Sequence, residues 1–173
     1  MSDTKTILIT GASDGIGAAA ARRLAAKGER LLLTGRSRDK IERIAEELGA
    51  ESFVADFARL DDVRALASAV RERADTLDVL ANNAGGMFGA RTVTQDGHEQ
   101  TFQVNHLAPA LLTTLLLEPL LAAKGSVVGT SSLGSQSGSI DLDDLEHDRR
   151  YTALRAYNDA KLAVTLFTRA LHD

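Results

Sequence analysis

With 173 residues, 44% of them hydrophobic and 25% charged, the chain has the size and composition of a globular domain with a real core, not of a disordered segment. Its 20 basic and 24 acidic side chains leave a net charge of −4, and no Lys/Arg run marks a nucleic-acid or membrane-surface footprint. Cysteine is absent, which excludes disulfides and thiolate chemistry, and the 4 His are too scattered to suggest a metal site.

Short apolar runs alternate with amphipathic segments, the pattern of βαβ units around a parallel sheet. Residues 6–9 read as a first strand covered on both faces. An Ala-rich helix follows over 16–27, with Gly28 as its C-cap. Leu31, Leu32 and Leu33 form a second strand, and Ser37 is expected to cap a helix with Ile41, Ile44, Ala45 and Leu48 on one stripe, closed by Gly49. A third strand spans 52–54, a helix 62–74, and a fourth strand 77–80. The region 97–123 reads as one long helix bent at Pro109 and Pro119. A fifth strand at 126–128, a polar loop over 130–150 and a last helix over 152–171 complete the chain.

No repeat or linker interrupts this order, so residues 1–173 read as a single domain. The expected fold class is α/β: a doubly wound, Rossmann-like parallel sheet whose right-handed crossovers give the strand order 3-2-1-4-5. The longest apolar stretch, near 111–117, is broken by Thr113 and Thr114 and is too short for a membrane span. Residues 1–5 run into the first strand without a signal-like apolar region, so a cytoplasmic location is the expectation. Leu111, Leu112, Leu115 and Leu116 suit either burial within the chain or a partner interface.

The chemistry-bearing residues begin between the first strand and first helix. There Gly11, Ser13, Asp14, Gly15, Ile16 and Gly17 form a Gly-x-x-x-Gly-x-Gly loop. Glycines let the backbone turn tightly and approach a pyrophosphate, whose charge is favoured at a helix N-terminus. Beyond the second strand stand Arg36 and Ser37, where an NAD site usually has a carboxylate for the ribose hydroxyls. A guanidinium there matches a 2′-phosphate, so NADP(H) is preferred and NAD(H) kept as the alternative; Asp14 argues the other way. Tyr157 and Lys161 are one helical turn apart on the last helix and share a face. A free phenol titrates near ~10, and an adjacent ammonium favours its ionised form. Ser132, with Ser131 beside it, lies just past the fifth strand, at the carboxyl edge where open α/β sheets bind ligands.

The Thr-Gly-x-x-x-Gly-Ile-Gly loop, Asn82-Asn83-Ala84-Gly85 and Tyr157-x-x-x-Lys161 together resemble the short-chain dehydrogenase/reductase family, over essentially the whole chain. The stretch 125–171 is most similar to its retinol-dehydrogenase-like branch. The resemblance implies an oxidoreductase interconverting a carbonyl and an alcohol by hydride transfer. Tyr157 would be the acid/base, Lys161 its partner, and Ser132 rather than Ser131 the substrate-oxygen ligand. Asn105 would hold a water between the lysine and solvent. It also places Asp56 and Phe57 at the adenine, lines the ribose side with Asn83, Ala84 and Gly85, and implies a lipophilic small-molecule substrate and a homodimer or homotetramer.

Members of that family continue with a sixth strand, a Pro-Gly loop at the nicotinamide, a substrate lid and a seventh strand. None follows here, so a C-terminally incomplete chain is expected, either a fragment or a short form, with its isolated activity open. The alternatives to catalysis are a nucleotide-binding module without turnover and an assembly protein using its helices as an interface. His98, His106, His147 and His172 read as surface or loop residues, and the acidic run 141–146 as a solvated loop without an EF-hand pattern.

Overall fold

The computed structural model describes residues 4–172, so the reading of the extreme N-terminus lies, for residues 1–3, outside the described residues. Five strands, β1 (Thr6–Thr10), β2 (Arg30–Gly35), β3 (Glu51–Val54), β4 (Val79–Asn82) and β5 (Ser126–Gly129), form a parallel sheet in the order β3-β2-β1-β4-β5. The helices are α1 (Gly15–Ala25), α2 (Arg38–Leu48), α3 (Leu60–Arg73), α4 (Gln100–Phe102), α5 (Ala108–Leu115), α6 (Leu117–Ala122) and α7 (Ala153–Ala170).

Alternation along the strands sends neighbouring side chains to opposite faces, and each face has its own helices. Ile7, Ile9, Leu31 and Leu33 pack with Ala18 and Ala21 of α1 and Ile41, Ile44 and Ala45 of α2. Leu8, Leu32 and Leu80 pack on the other side with Val63, Leu66 and Val70 of α3 and Leu112 of α5. The doubly wound sheet thus follows from continuous apolar strands that need cover on both faces. Leu112 and Leu116 are fully buried in that second cluster, and Leu111 and Leu115 pack against it. Burial within the chain therefore accounts for the leucine group. Truncating Leu112 to Ala should cost about 3 kcal/mol of stability, read as a lowered urea midpoint with an unchanged slope.

The long helix is broken, and not at its prolines. Residues Gln103–Leu107 wind as a π turn ahead of Pro109, with the Ala108 amide bonded to Gln103 O. A second break falls at Leu116, with φ −101° and ψ 11°, three residues before Pro119. A proline lacks the N–H that would bond the carbonyl four residues back, so the disruption is felt upstream. At the second break that carbonyl, Leu115 O, accepts instead from Arg71 Nη1 at 3.4 Å.

Two caps also differ from expectation. Ser37 sits at the N-cap of α2, but its side chain makes no capping hydrogen bond. The C-cap of α1 is Ala26, and Gly28 (φ +80°) turns the chain two residues later. The loop between β5 and α7 holds a short 3₁₀ helix, Leu133–Ser137. It is not simply solvated: Asp144 is buried and accepts from the amides of Asp148 and Arg149.

Candidate active site

The carboxyl ends of all five strands open on one cleft of about 880 Å³. This is where open parallel sheets gather ligands, because the strand order reverses there. Its walls include Gly11, Ser13, Asp14, Gly15 and Ile16 after β1, Arg36 after β2, Asp56 and Phe57 after β3, Asn83–Gly86 after β4, Ser131 and Ser132 after β5, and Tyr157 and Lys161 from α7. Three expected residues stand off that wall. Ser37 is at the start of α2, Gly17 is packed beneath the loop, and Asn105 lies behind Gly86.

Thr10, the last residue of β1, fixes the floor. Its buried hydroxyl oxygen accepts from the amides of Asn83 and Ala84 at 3.0 and 2.9 Å. Asn83 Nδ2 in turn donates to Thr10 O at 3.0 Å. The glycine loop and the Asn83–Gly85 segment are therefore one unit. A Cβ on Gly11 would lie 2.9 Å from Ala84 Cα, so only glycine allows these two backbones to meet. Asp14 caps α1 by accepting from the Gly15 amide at 2.8 Å. That bond, and then Lys40 at 3.3 Å, holds the exposed Asp14 carboxyl below the usual carboxylate range.

At the other end of the cleft, Lys161 is 4% exposed. Its Nζ donates to Thr130 O at 2.9 Å and lies 5.5 Å from the centroid of the Tyr157 ring. Burial pushes this ammonium below the usual lysine range. The two serines separate by their partners. Ser131 Oγ donates to Lys161 O at 3.1 Å and pairs with Thr165 Oγ1 at 2.8 Å, so its hydroxyl is committed to α7. Ser132 Oγ accepts from the Gly134 amide at 3.1 Å, which leaves its proton for another acceptor. Asn105 Nδ2 donates to Gly86 O and Thr101 O, both at 2.8 Å, while Oδ1 accepts from the Gly86 amide at 3.1 Å. Two of these bonds pin Gly86 to the π turn, and the third ties Asn105 back to α4.

A sequence profile of the family described as short chain dehydrogenase matches residues 5–173. The chain belongs to the short chain dehydrogenase family. A protein of Streptomyces sp. (strain C5) provisionally named daunorubicin C-13 ketoreductase DnrU is 48% identical over 166 residues, 92% of this chain and 57% of that relative. Retinol dehydrogenase 13 of Homo sapiens is 39% identical over 176 residues, 96% of this chain and 53% of the relative. Among solved structures, an alcohol dehydrogenase from the archaeon Thermococcus sibiricus complexed with 5-hydroxy-NADP superposes with a TM-score of 0.78 at 30% identity, covering 98% of this chain and 71% of that one. This short chain dehydrogenase sequence spans about half the length of the curated relatives it matches.

Within this short chain dehydrogenase fold, two histidines depart from the surface reading. His147, at φ +53°, is 4% exposed and packs its Nε2 3.7 Å from Asp159 Oδ2 of α7. His106 is half-buried in the π turn between Phe102 and Phe167. Lys40, which the sequence reading passed over, reaches back from α2 to Asp14 at the mouth of the cleft. Its only sequence signal is its place four residues after Arg36. Among the described residues, no helix is long and apolar enough to cross a membrane.

Proposed function

We propose that residues 1–173 form one cofactor-binding and catalytic domain that interconverts a small-molecule carbonyl and its alcohol, with NADP(H) as the hydride carrier. The observation that carries this reading is the convergence on one cleft of the glycine loop, Asn83–Gly85, Ser132, Tyr157 and Lys161. The cleft suits a dinucleotide on its own terms. Its volume is that of a sizeable ligand site, and its floor is a backbone junction that a single Cβ at Gly11 would fill.

Gly11, Ser13, Gly15 and Ile16 would hold the pyrophosphate at the start of α1, with Gly17 packed beneath them so that the loop can close on it. Asp56 and Phe57 would lie against the adenine, and Asn83, Ala84 and Gly85 against a ribose. When bound, the nicotinamide supplies or takes up the hydride. The chain's own residues then manage the oxygen. Tyr157 gives a proton to the carbonyl oxygen in reduction and accepts it back in oxidation. Lys161, its ammonium beside the Tyr157 ring, stabilises negative charge on the phenol oxygen. Ser132 donates a hydrogen bond from its free hydroxyl to the substrate oxygen and fixes its position, without giving up its proton. Asn105 acts at one remove by clamping the Gly86 backbone.

Arg36 at the cleft, with Lys40 and Arg43 acting on Asp14, makes the end beyond β2 cationic, which favours a 2′-phosphate. NAD(H) is the alternative. Arg36→Ala should weaken NADPH binding about ten- to a hundredfold and leave NADH binding nearly unchanged in calorimetry, since one charge-assisted contact contributes roughly 1.5–3 kcal/mol. Met87 and Phe88 on the cleft wall suit a lipophilic substrate, in line with relatives named for retinol and for a ketone. The test of the whole reading is calorimetry with NADPH, followed by NADPH consumption over a panel of lipophilic aldehydes and ketones. Absence of NADPH binding would overturn it, and tight binding with no turnover on any carbonyl would leave only a nucleotide-binding module.

A further inference from the structure

Past β4 the wall of the cleft runs on without regular secondary structure through residues 83–88. Asn83 and Ala84 are fixed on Thr10, and Gly86 on Asn105. Met87 and Phe88 follow, look into the cleft, and are bracketed by Gly86 and Gly89. A pair of residues flanked by glycines and outside any strand ladder needs another anchor to hold a shape. That anchor is the loop 139–151. Tyr151 donates its phenol hydrogen to Phe88 O at 3.3 Å. Further along, Arg91 Nε donates to Glu146 O at 3.1 Å and Nη2 to Asp148 Oδ1 at 2.6 Å. The Glu146 carboxylate pairs with His98 Nδ1 at 2.7 Å and accepts from the Glu99 amide. The same loop is fastened to α7. The Ser139 amide donates to Asp159 Oδ1 at 2.7 Å, and buried His147 stands between Asp159 and the edge of the Tyr151 ring. Thr152, next to Tyr151, caps α7 by accepting from the Arg155 amide at 3.1 Å. Tyr151 thus ties the cleft wall to the start of the helix that carries Tyr157.

We propose that Tyr151 is a positioning residue for the substrate: its bond to Phe88 sets the width between the Met87 and Phe88 wall and the Tyr157 phenol, and with it which carbonyl compounds fit. This rests on the reading of the cleft and of Tyr157 given above. Tyr151 is not among the residues that line the cleft, so it acts through Phe88 and touches neither substrate nor cofactor. The Phe88 ring packs against the core cluster that holds Leu8 and Val63, while its carbonyl is held by Tyr151, so ring and backbone are fixed together. Met87, 59% exposed, is the adaptable member of the pair. An apolar pocket tells slim from bulky substrates by shape alone, and only while its walls do not yield. With wall and phenol hung from one helix start, a slim carbonyl is gripped at reacting distance and a bulky one is turned away. Releasing Phe88 lets the wall swing out, which loosens the grip on the first and admits the second.

Tyr151→Phe tests this, because it removes the hydroxyl and keeps the ring against His147. NADPH oxidation is followed with the slimmest and the bulkiest carbonyl compounds that the parent protein turns over, beginning with octanal and benzophenone. For the slim substrate kcat/KM should fall about fivefold, mainly through a higher KM, the scale of one lost neutral hydrogen bond. For the bulky substrate it should hold or rise, so the ratio of bulky to slim increases about fivefold or more. NADPH affinity by calorimetry should stay within about twofold. A merely structural role lowers both substrates alike and leaves the ratio unmoved; that result, or unchanged kinetics, overturns the proposal. Hydrogen exchange in the protein without ligands is the second readout. The Gly86 amide should exchange about five times faster in Tyr151→Phe, while those of Asn83 and Ala84, bonded to Thr10, keep their parent rates. An unmoved Gly86 rate also overturns it. If Tyr151→Phe fails to fold by circular dichroism, Arg91→Met, which frees the same wall from Glu146 and Asp148, is measured instead with the same expectations. No turnover of any carbonyl by the parent protein sinks the oxidoreductase reading. Turnover by the parent with an unaltered preference in the variant sinks only the role of Tyr151.

Discussion

Tyr157→Phe should lower carbonyl reduction by about three orders of magnitude while changing NADPH affinity by less than about threefold. The phenol hydroxyl is a small part of a cleft walled by more than a dozen other residues, so removing it leaves most of the cofactor's surroundings intact. It is, in the proposed chemistry, the only group placed to protonate the product oxygen, and general acid catalysis contributes roughly two to four orders of magnitude. Stopped-flow reduction with calorimetry on the same preparation reads both quantities. Lys161→Met should cost nearly as much in rate, and here pH adds a second signature. Burial has lowered the lysine's ionisation, so the ammonium is lost at a lower pH than that of a free lysine. Activity that needs the ammonium is complete below this lowered value and falls as pH rises through it. Lys161→Arg, whose charge persists above pH ~12, should retain some activity and move that alkaline fall upward. Equal rates for Tyr157→Phe and the parent would end the assignment of the phenol as acid/base.

The residues that carry this argument were legible because their signals are local. The apolar runs at 7–9 and 31–33 specify strands covered on both faces, and the glycines at 11 and 17 specify a loop of close approach. The pairing of Tyr157 with Lys161 needs only the helical period. What was not legible depends on the third dimension. The family resemblance favours Ser132 over Ser131, but the physical difference between them, that Ser131 Oγ is bonded to Lys161 O and Thr165 Oγ1, is not in the sequence. His106 reads as one more polar residue on a helix until a π turn and Phe167 of α7 half-enclose it. His147 reads as part of an acidic loop, yet Asp159 from α7 and the Tyr151 ring surround it once that loop folds back. Lys40 is one of several cations on an amphipathic helix, and only the packing of α2 beside α1 brings it to Asp14. The helix breaks were misplaced for a different reason: proline's effect on a helix is exerted on the carbonyl it fails to bond, not at its own position.

Gly17→Ala should be the most damaging change outside the catalytic trio. An added Cβ would sit against the Gly11 carbonyl oxygen, closer than real Cβ atoms come, and 2.7 Å from Asn83 Nδ2. Neither neighbour can yield cheaply. Gly11 is held against the Ala84 backbone, and Asn83 Nδ2 is bonded to Thr10 O. Relief must come from moving the glycine loop off α1, which opens the junction on which a pyrophosphate would rest. Overpacking of this kind costs about 2–3 kcal/mol of stability, and a displacement near 1 Å is enough to reduce function on the order of a hundredfold. Gly15→Ala is the control within the same loop. Its φ is +53°, but no atom lies within 4 Å of the added Cβ. The cost there is conformational, roughly 1–2 kcal/mol, with no push on Gly11 or Asn83. Thermal denaturation should therefore show both variants destabilised, Gly17→Ala the more so, whereas calorimetry should show NADPH binding collapsing in Gly17→Ala and only weakened in Gly15→Ala. If both variants bind NADPH as the parent does, the pyrophosphate does not sit on this loop, and the cationic end beyond β2 would have to be explained without a dinucleotide.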